Sequence, residues 1–68
     1  MKAYAYAMDC FQKTVYGILE ADGIDDAVAH LGDNVDIIEV DLPDEVVILA
    51  DDNERARLAK KALKERLA

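Results

Sequence analysis

The sequence contains no serine and only one threonine, one cysteine and one histidine. A Ser-His-acid triad is therefore impossible, and catalysis by a thiol would require Cys10 and His30 to meet in space. Cys10 follows a predicted strand in surroundings that lack the positive charge that activates a thiol. His30 lies near the end of a predicted helix, where a cation is favoured. The sequence thus predicts a protein that is not an enzyme.

Recognised cofactor and metal motifs are missing as well. The three glycines are scattered and form no phosphate-binding loop, and no D-x-[DN]-x-[DN]-G calcium loop is present. The pairs Asp25-Asp26 and Asp51-Asp52 stand at predicted helix starts, where capping accounts for them. We therefore predict no cofactor and no metal site. The alternative is a weak divalent-cation site with three candidate oxygen ligands: Asp33, Asn34 and Asp36.

Signals for export and for membrane insertion are also lacking. The single cysteine cannot form an internal disulfide, which gives no indication of secretion. No N-terminal segment has the basic start and apolar run of a signal peptide, and no apolar run approaches the length of a membrane span. The expected location is the cytoplasm. At 68 residues, with 53% hydrophobic residues, the chain is expected to form a single small domain over residues 1–68.

The middle of the chain has no lysine or arginine. Residues 20–54 contain thirteen Asp or Glu side chains, and His30 is the only possible cation among them. Residues 55–68 contain six Lys or Arg against Glu65, and the net charge of the whole chain is −7. Acidic and basic residues are therefore separated along the chain, whereas an ordinary solubilising surface mixes them.

Hydrophobic periodicity predicts four strands and two helices. Residues 1–9 alternate between small and large apolar side chains, and residues 13–21 are rich in β-branched and aromatic residues, so both predict strands joined as a hairpin. Residues 35–42 and 45–50 predict a second hairpin around Pro43 and Asp44, with Pro43 in the first turn position. The segment of residues 45–50 is apolar enough to be a buried strand.

The helices are predicted from capping and spacing. A short helix is expected near residues 24–31, capped by Asp22 or Gly23 and stopped by Gly32. A longer C-terminal helix is expected after Asp51, which with Glu54 resembles a capping box. The predicted fold is α+β, a four-stranded antiparallel sheet with the order β-β-α-β-β-α. One short and one longer helix are expected to pack on one face of that sheet.

One family resemblance concerns the fold of residues 1–42. The pattern Y-x-Y-x-A-x-D, followed by V-x-G-x-x-E-A-D and an alanine-bearing helix, resembles the small ββαβ modules at the start of bacterial secretion-platform proteins. It is carried by these residues: Tyr4, Tyr6, Asp9, Val15, Gly17, Glu20, Ala21 and Asp22. The resemblance implies a ββαβ arrangement. The membrane segments that follow such modules in that family are not found here.

A second resemblance covers the whole chain as a profile of size and charge. A short, acidic, single-domain α+β chain without a catalytic constellation is similar to many phage-encoded inhibitors, the anti-CRISPR proteins among them. This likeness implies a protein that acts on another protein in the host cytoplasm, as a monomer or weak dimer.

The acidic residues suggest how such an inhibitor would act. Carboxylates held several ångströms apart on a rigid sheet resemble a phosphate backbone, so they would attract a basic nucleic-acid-binding protein, such as a CRISPR effector subunit, and mimic its DNA. The basic C-terminal helix suggests direct binding to nucleic acid as an alternative, but the net negative charge of the whole chain disfavours it. We predict partner binding, with no direct contact to nucleic acid or membrane, through seven residues: Glu39, Asp41, Asp44, Glu45, Asp36, Asp25 and Asp26.

Two alternatives without a binding function and one functional alternative remain open. The acids could serve solubility alone, or adaptation to high salt, although three lysines in one helix fit high salt poorly. The functional alternative is a structural or assembly module that dimerises or docks through an uncovered sheet face. That face would carry Tyr4, Tyr6 and Tyr16.

Overall fold

The structure is a computed structural model that describes residues 2–32 and 34–67, the side chain of Leu67 excepted. Its described residues form an α+β fold with three strands and three helices. In chain order these are β1 Lys2–Cys10, β2 Lys13–Ala21, α1 Ile24–Leu31, β3 Val35–Val40, α2 Asp44–Leu49 and α3 Asp52–Leu67. The strands make one antiparallel sheet with the order β2-β1-β3.

The predicted first hairpin is confirmed. β1 pairs with β2 along its whole length, from Lys2 opposite Ala21 to Cys10 opposite Lys13. The turn between them has only two residues, Phe11 and Gln12. β3 adds to the other side of β1, so β1 is the central strand.

Side-chain alternation gives the sheet two different faces. One face, here called the alanine face, carries Ala3 and Ala5 of β1 beside Ile18 and Ile38 of the neighbouring strands. The opposite face, here called the tyrosine face, carries the side chain of Tyr4, opposite Leu19 and Glu39, and that of Tyr6. Each face has its own hydrophobic cluster.

The helices cover both faces, so the prediction that they share one face is wrong. Ala59 of α3 is buried in the cluster of the alanine face together with Ala3 and Ala5. Small residues on both sides allow the helix to lie close to the sheet. Ala27 of α1 is buried against Tyr4, on the tyrosine face. The short α1 follows β2 directly and folds back over the face on which Tyr4 lies.

The predicted fourth strand is also wrong, because residues 44–49 form helix α2. Pro43 is its N-cap, and the carbonyl of Pro43 accepts the N–H groups of Val46 and Val47 at 3.0 and 3.3 Å. Proline fixes its own φ and suits the start of a helix. Val47, only 2% exposed, packs against the alanine face. Tertiary packing of one side chain has therefore overridden the strand preference of three consecutive β-branched residues.

The helix-end predictions fare better. Gly23 is the N-cap of α1, and Gly32 ends that helix with a φ of 93°, in the left-handed region that favours glycine. Asp51 caps α3, because its Oδ1 accepts the N–H of Glu54 at 2.8 Å and its carbonyl accepts the N–H of Arg55 at 2.9 Å.

Candidate partner-binding surface

The strand register defines two ends of the molecule. At one end β1 begins while β2 and β3 finish, since Ala3 lies opposite both Glu20 and Val40. α1 and α2 start within four residues of those strand ends. α3 also starts at this end, because Ala59 packs with Ala3, whereas Lys64 lines a groove with Thr14 near the β1–β2 turn. We call the first end the acidic end and the second the hairpin end.

Most of the carboxylates lie at the acidic end. Each of them is in the last residues of β2 or β3, in a connection that follows one of these strands, or at the N-cap or in the first turn of a helix. The chain holds fifteen acids in all, and eleven of those that the structure describes are at this end: Glu20, Asp22, Asp25, Asp26, Glu39, Asp41, Asp44, Glu45, Asp51, Asp52 and Glu54. All but Glu20, which is half-buried, are exposed.

Three Lys or Arg side chains share the acidic end, and each is already engaged. Lys2 Nζ lies 3.2 Å from Glu39 Oε1, and this hydrogen bond and the charge of Glu39 raise the pKa of Lys2. Arg57 Nη2 lies 3.3 Å from Glu54 Oε1. Arg55 donates from Nε and Nη2 to the carbonyl of Val47. These contacts leave an excess of acidic charge on the surface.

The helix starts explain part of this clustering. Asp25 and Asp26 occupy the first turn of α1, and Asp44 and Glu45 occupy that of α2. Negative charge there is favoured by the partial positive charge of the helix N-terminus. Asp26 Oδ2 also accepts the backbone N–H of Asp22 at 3.5 Å. The fold thus places three helix starts at one end, and their carboxylates follow.

Asp41 needs a different explanation. It follows β3, is exposed, and is not in the first turn of a helix. Together with Lys2 and Glu39 it lines a shallow depression at the edge of the sheet. Among the described residues, Asp41 has no cation within 4.0 Å. Its charge is therefore presented to solvent.

Six of the seven residues predicted to bind a partner lie together at the acidic end, and one does not. Glu39 belongs to the tyrosine face of β3. Asp44 and Glu45 are on α2, so the predicted β-turn at Pro43 and Asp44 is absent. Asp36 lies near the start of β3 opposite Ala7, which places it on the alanine face at the hairpin end.

The cations of α3 lie mainly at the hairpin end. Lys60 and Lys64 line a groove of about 810 Å³ together with Asp9, Thr14 and Asp36. The Nζ of Lys60 is 5.9 Å from the centre of the Tyr16 ring. Tyr16 and Thr14 are level with positions four and six residues along β1 from Ala3, so these two lysines lie roughly 14–20 Å from the acidic end at a strand rise of ~3.4 Å. This exceeds the Debye length of ~8–10 Å in ordinary salt, so these two lysines do not neutralise the acidic end.

The sequence-based site omitted five members of the acidic end. They are Glu20, Asp22, Asp51, Asp52 and Glu54. The absence of Lys and Arg from residues 20–54 was the signal that includes all five. The exposed apolar residues of α2 were missed for another reason, because the segment was predicted to be a buried strand.

The tyrosines do not form one open surface. Tyr4 is buried beneath α1, and Tyr16 lies on the other face of the sheet, beneath Lys60. Tyr6 is half-buried, and its ring lies where a Cβ on Gly17 would be. The uncovered face imagined for an assembly module is therefore limited to the part of the tyrosine face beyond α1.

The remaining candidates are the cysteine, the histidine, a metal site and a membrane-spanning helix. Cys10 is an exposed free cysteine at the end of β1, and Nδ1 of His30 lies 2.9 Å from the carbonyl oxygen of Asp26. Over residues 2–32 and 34–67, no group of three or more His, Cys, Asp or Glu side chains is arranged to hold a metal ion. Asp33, part of the alternative cation site, lies outside the described residues. No helix in the described part of the chain combines the length and apolarity needed to cross a membrane.

Comparison with known proteins gives no relative from which a function could be transferred. The chain matches no protein-family model, no curated protein and no solved structure. The surface itself must therefore carry the functional argument.

Proposed function

We propose that this protein is a non-enzymatic inhibitor whose acidic end occupies the nucleic-acid-binding surface of a basic partner protein. In its concrete form it is a phage-encoded anti-CRISPR protein that mimics DNA in the host cytoplasm. The observation that carries the proposal is the collection of eleven acids, ten of them exposed, at one end of the sheet, where the three Lys or Arg side chains of the described residues are each engaged.

Electrostatics supply the mechanism. A surface of one sign attracts an oppositely charged groove over several ångströms and increases the rate of encounter. Such an inhibitor binds the charged groove without contacts to nucleobases. The surface of the partner that would otherwise contact the phosphates of DNA is then covered. Lys60 and Lys64 of α3, roughly 14–20 Å from the acidic end along β1, would lie away from the contact. They thereby limit repulsion between the inhibitor and its basic partner.

Competition for DNA tests this proposal. The test measures the binding of fluorescent target DNA to a panel of RNA-guided effector complexes, both single-protein and multisubunit, with increasing amounts of the protein. We expect at least one effector to release its DNA, and the inhibition to weaken steeply as salt is raised. If none of the effectors releases DNA, the proposed function is wrong. A dimer insensitive to salt, seen by light scattering, would favour an assembly module instead.

Matched charge variants locate the surface. One variant combines Asp41→Asn, Asp44→Asn and Glu45→Gln at the acidic end. Its control combines three changes of the same kind at the hairpin end: Asp9→Asn, Asp36→Asn and Glu65→Gln. The net charge of both variants is three units more positive than that of the wild type. An effect of net charge alone would therefore weaken inhibition equally in the two variants. We expect inhibition by the first variant to be weaker than that by the wild type by about tenfold or more. Inhibition by the control should be weaker by less than about twofold. Equal losses would contradict an acidic-end contact.

A further inference from the structure

Helix α2 presents a group of large apolar side chains to solvent. Ile48 is 68% exposed, Leu49 is 83% exposed and Val46 is 40% exposed. Val47 and Ala50 alone point inward and are buried. Single exposed apolar residues are common, but three within four consecutive positions form a patch, and such patches mark interaction surfaces.

This patch is held in a fixed position. The carbonyl of Val47 accepts two hydrogen bonds from Arg55, at 3.2 Å from Nε and 2.7 Å from Nη2. Pro43 caps the start of the helix, and the N–H of Ala50 donates to the carbonyl of Val46 at 3.1 Å. A helix whose backbone is held in place before binding loses less conformational entropy when its side chains are buried in an interface.

The charges around the patch indicate what it fits. Asp44 and Glu45 precede it, Asp51 and Asp52 follow it, and all four are exposed. Protein interfaces commonly have an apolar centre and a polar rim, with a few central residues supplying most of the affinity. A second copy of this chain is a poor occupant, because its acids would face these acids.

We propose that Ile48 and Leu49 insert into an apolar pocket of the partner whose rim carries lysine and arginine. This inference rests on the proposed function and adds the apolar contact that holds the complex together. The acids govern the encounter and its salt dependence, whereas the apolar pair slows dissociation.

The test uses the effector panel described above, with the double variant Ile48→Ser and Leu49→Ser. Its matched control is Phe11→Ser, because Phe11 is fully exposed at the hairpin end. We expect the double variant to inhibit at least about tenfold less well, by faster dissociation and with an unchanged salt slope. We expect the control to inhibit as the wild type does. Circular dichroism shows whether each variant remains folded.

The outcomes separate the two proposals. If the wild type inhibits and the double variant inhibits equally well, the apolar contact is refuted while the proposed function stands. If the wild type inhibits no effector, both are refuted. If light scattering shows a dimer that the double variant dissociates, the occupant is a second copy, and the pocket in a partner is refuted.

Discussion

The guanidinium group of Arg55 bridges two helices by donating from both Nε and Nη2 to the backbone carbonyl of Val47. Arg55 is in the first turn and a half of α3, and Val47 is in the middle of α2. Hydrogen bonds from a charged group to a partly buried carbonyl are among the stronger ones in proteins. This contact ties the short α2 to the rest of the fold.

Replacing Arg55 with methionine should therefore destabilise the protein by about 1–3 kcal/mol, because it removes both hydrogen bonds to Val47. Urea unfolding followed by circular dichroism measures this loss. The control is Arg57→Met, which breaks an exposed pair with Glu54 and should cost less than about 0.5 kcal/mol. Equal costs for the two variants would show that Arg55 does not hold α2.

A second prediction concerns Gly17 and Tyr6, which lie opposite each other on β2 and β1. A Cβ placed on Gly17 would lie 2.8 Å from Cε2 of Tyr6 and closer still to Cζ. Gly17→Ala should therefore cost about 1–3 kcal/mol of stability, since the ring must move. Urea unfolding of the single variant measures the effect.

The double variant provides the control. Once Tyr6→Ala has removed the ring, Gly17→Ala should no longer destabilise, and it should gain about 0.5–1 kcal/mol because alanine suits a strand better than glycine. An unchanged penalty in the Tyr6→Ala background would show that the two residues are not coupled.

Local patterns predicted those parts of the fold that depend on local interactions. The alternation around Tyr4 is enough to define β1, and Gly32 and Asp51 end or start a helix through their own backbone and side chain. Helix α2 was mispredicted because its conformation depends on Arg55, eight residues after Val47, and on one packing contact with the sheet. Those interactions are not visible in a window of β-branched residues.

The candidate site shows the same limit. The run without lysine or arginine indicated an acidic region, but only the register shows that Asp36 lies at the opposite end from Asp41. The direction of α3 also decides whether its lysines neutralise the acids, and the sequence does not determine that direction. Lys64 beside Thr14 shows that α3 runs away from the acidic end.

The hairpin turn yields a third prediction. Phe11 has a φ of 59°, in the left-handed region that side chains other than glycine and asparagine rarely adopt, and it is fully exposed. Phe11→Asn should therefore raise the stability by about 0.5–1 kcal/mol, because asparagine tolerates this conformation and no buried contact is lost. Thermal unfolding measures the gain. Gln12→Asn should have little effect, because Phe11 is the only residue besides glycine with positive φ in the described ranges. A lower stability of the Phe11→Asn variant would show that the backbone conformation of Phe11 is not strained.

The fourth prediction concerns the ion pair of Lys2 and Glu39. The neighbouring carboxylate raises the pKa of Lys2 in the folded protein. The ion pair therefore stabilises the folded protein fully at pH values below the unfolded-state pKa of lysine, about 10.4. This stabilisation is lost as the pH rises through the higher folded-state pKa of Lys2. The stability advantage of the wild type over Lys2→Met should thus be present at neutral pH and fall away in the alkaline range, as measured by urea unfolding.

Nuclear magnetic resonance can test the cause directly, because the chemical shift of the lysine Cε reports the charge on Nζ. In the wild type, Lys2 should titrate above the ordinary lysine pKa of about 10.4. Glu39→Gln removes the negative charge that holds the proton on Nζ, so the pKa of Lys2 should then fall toward that ordinary value. If Lys2 titrates at the ordinary lysine value in the wild type, Glu39 is not neutralised, and its charge belongs with Asp41 among those presented to a partner.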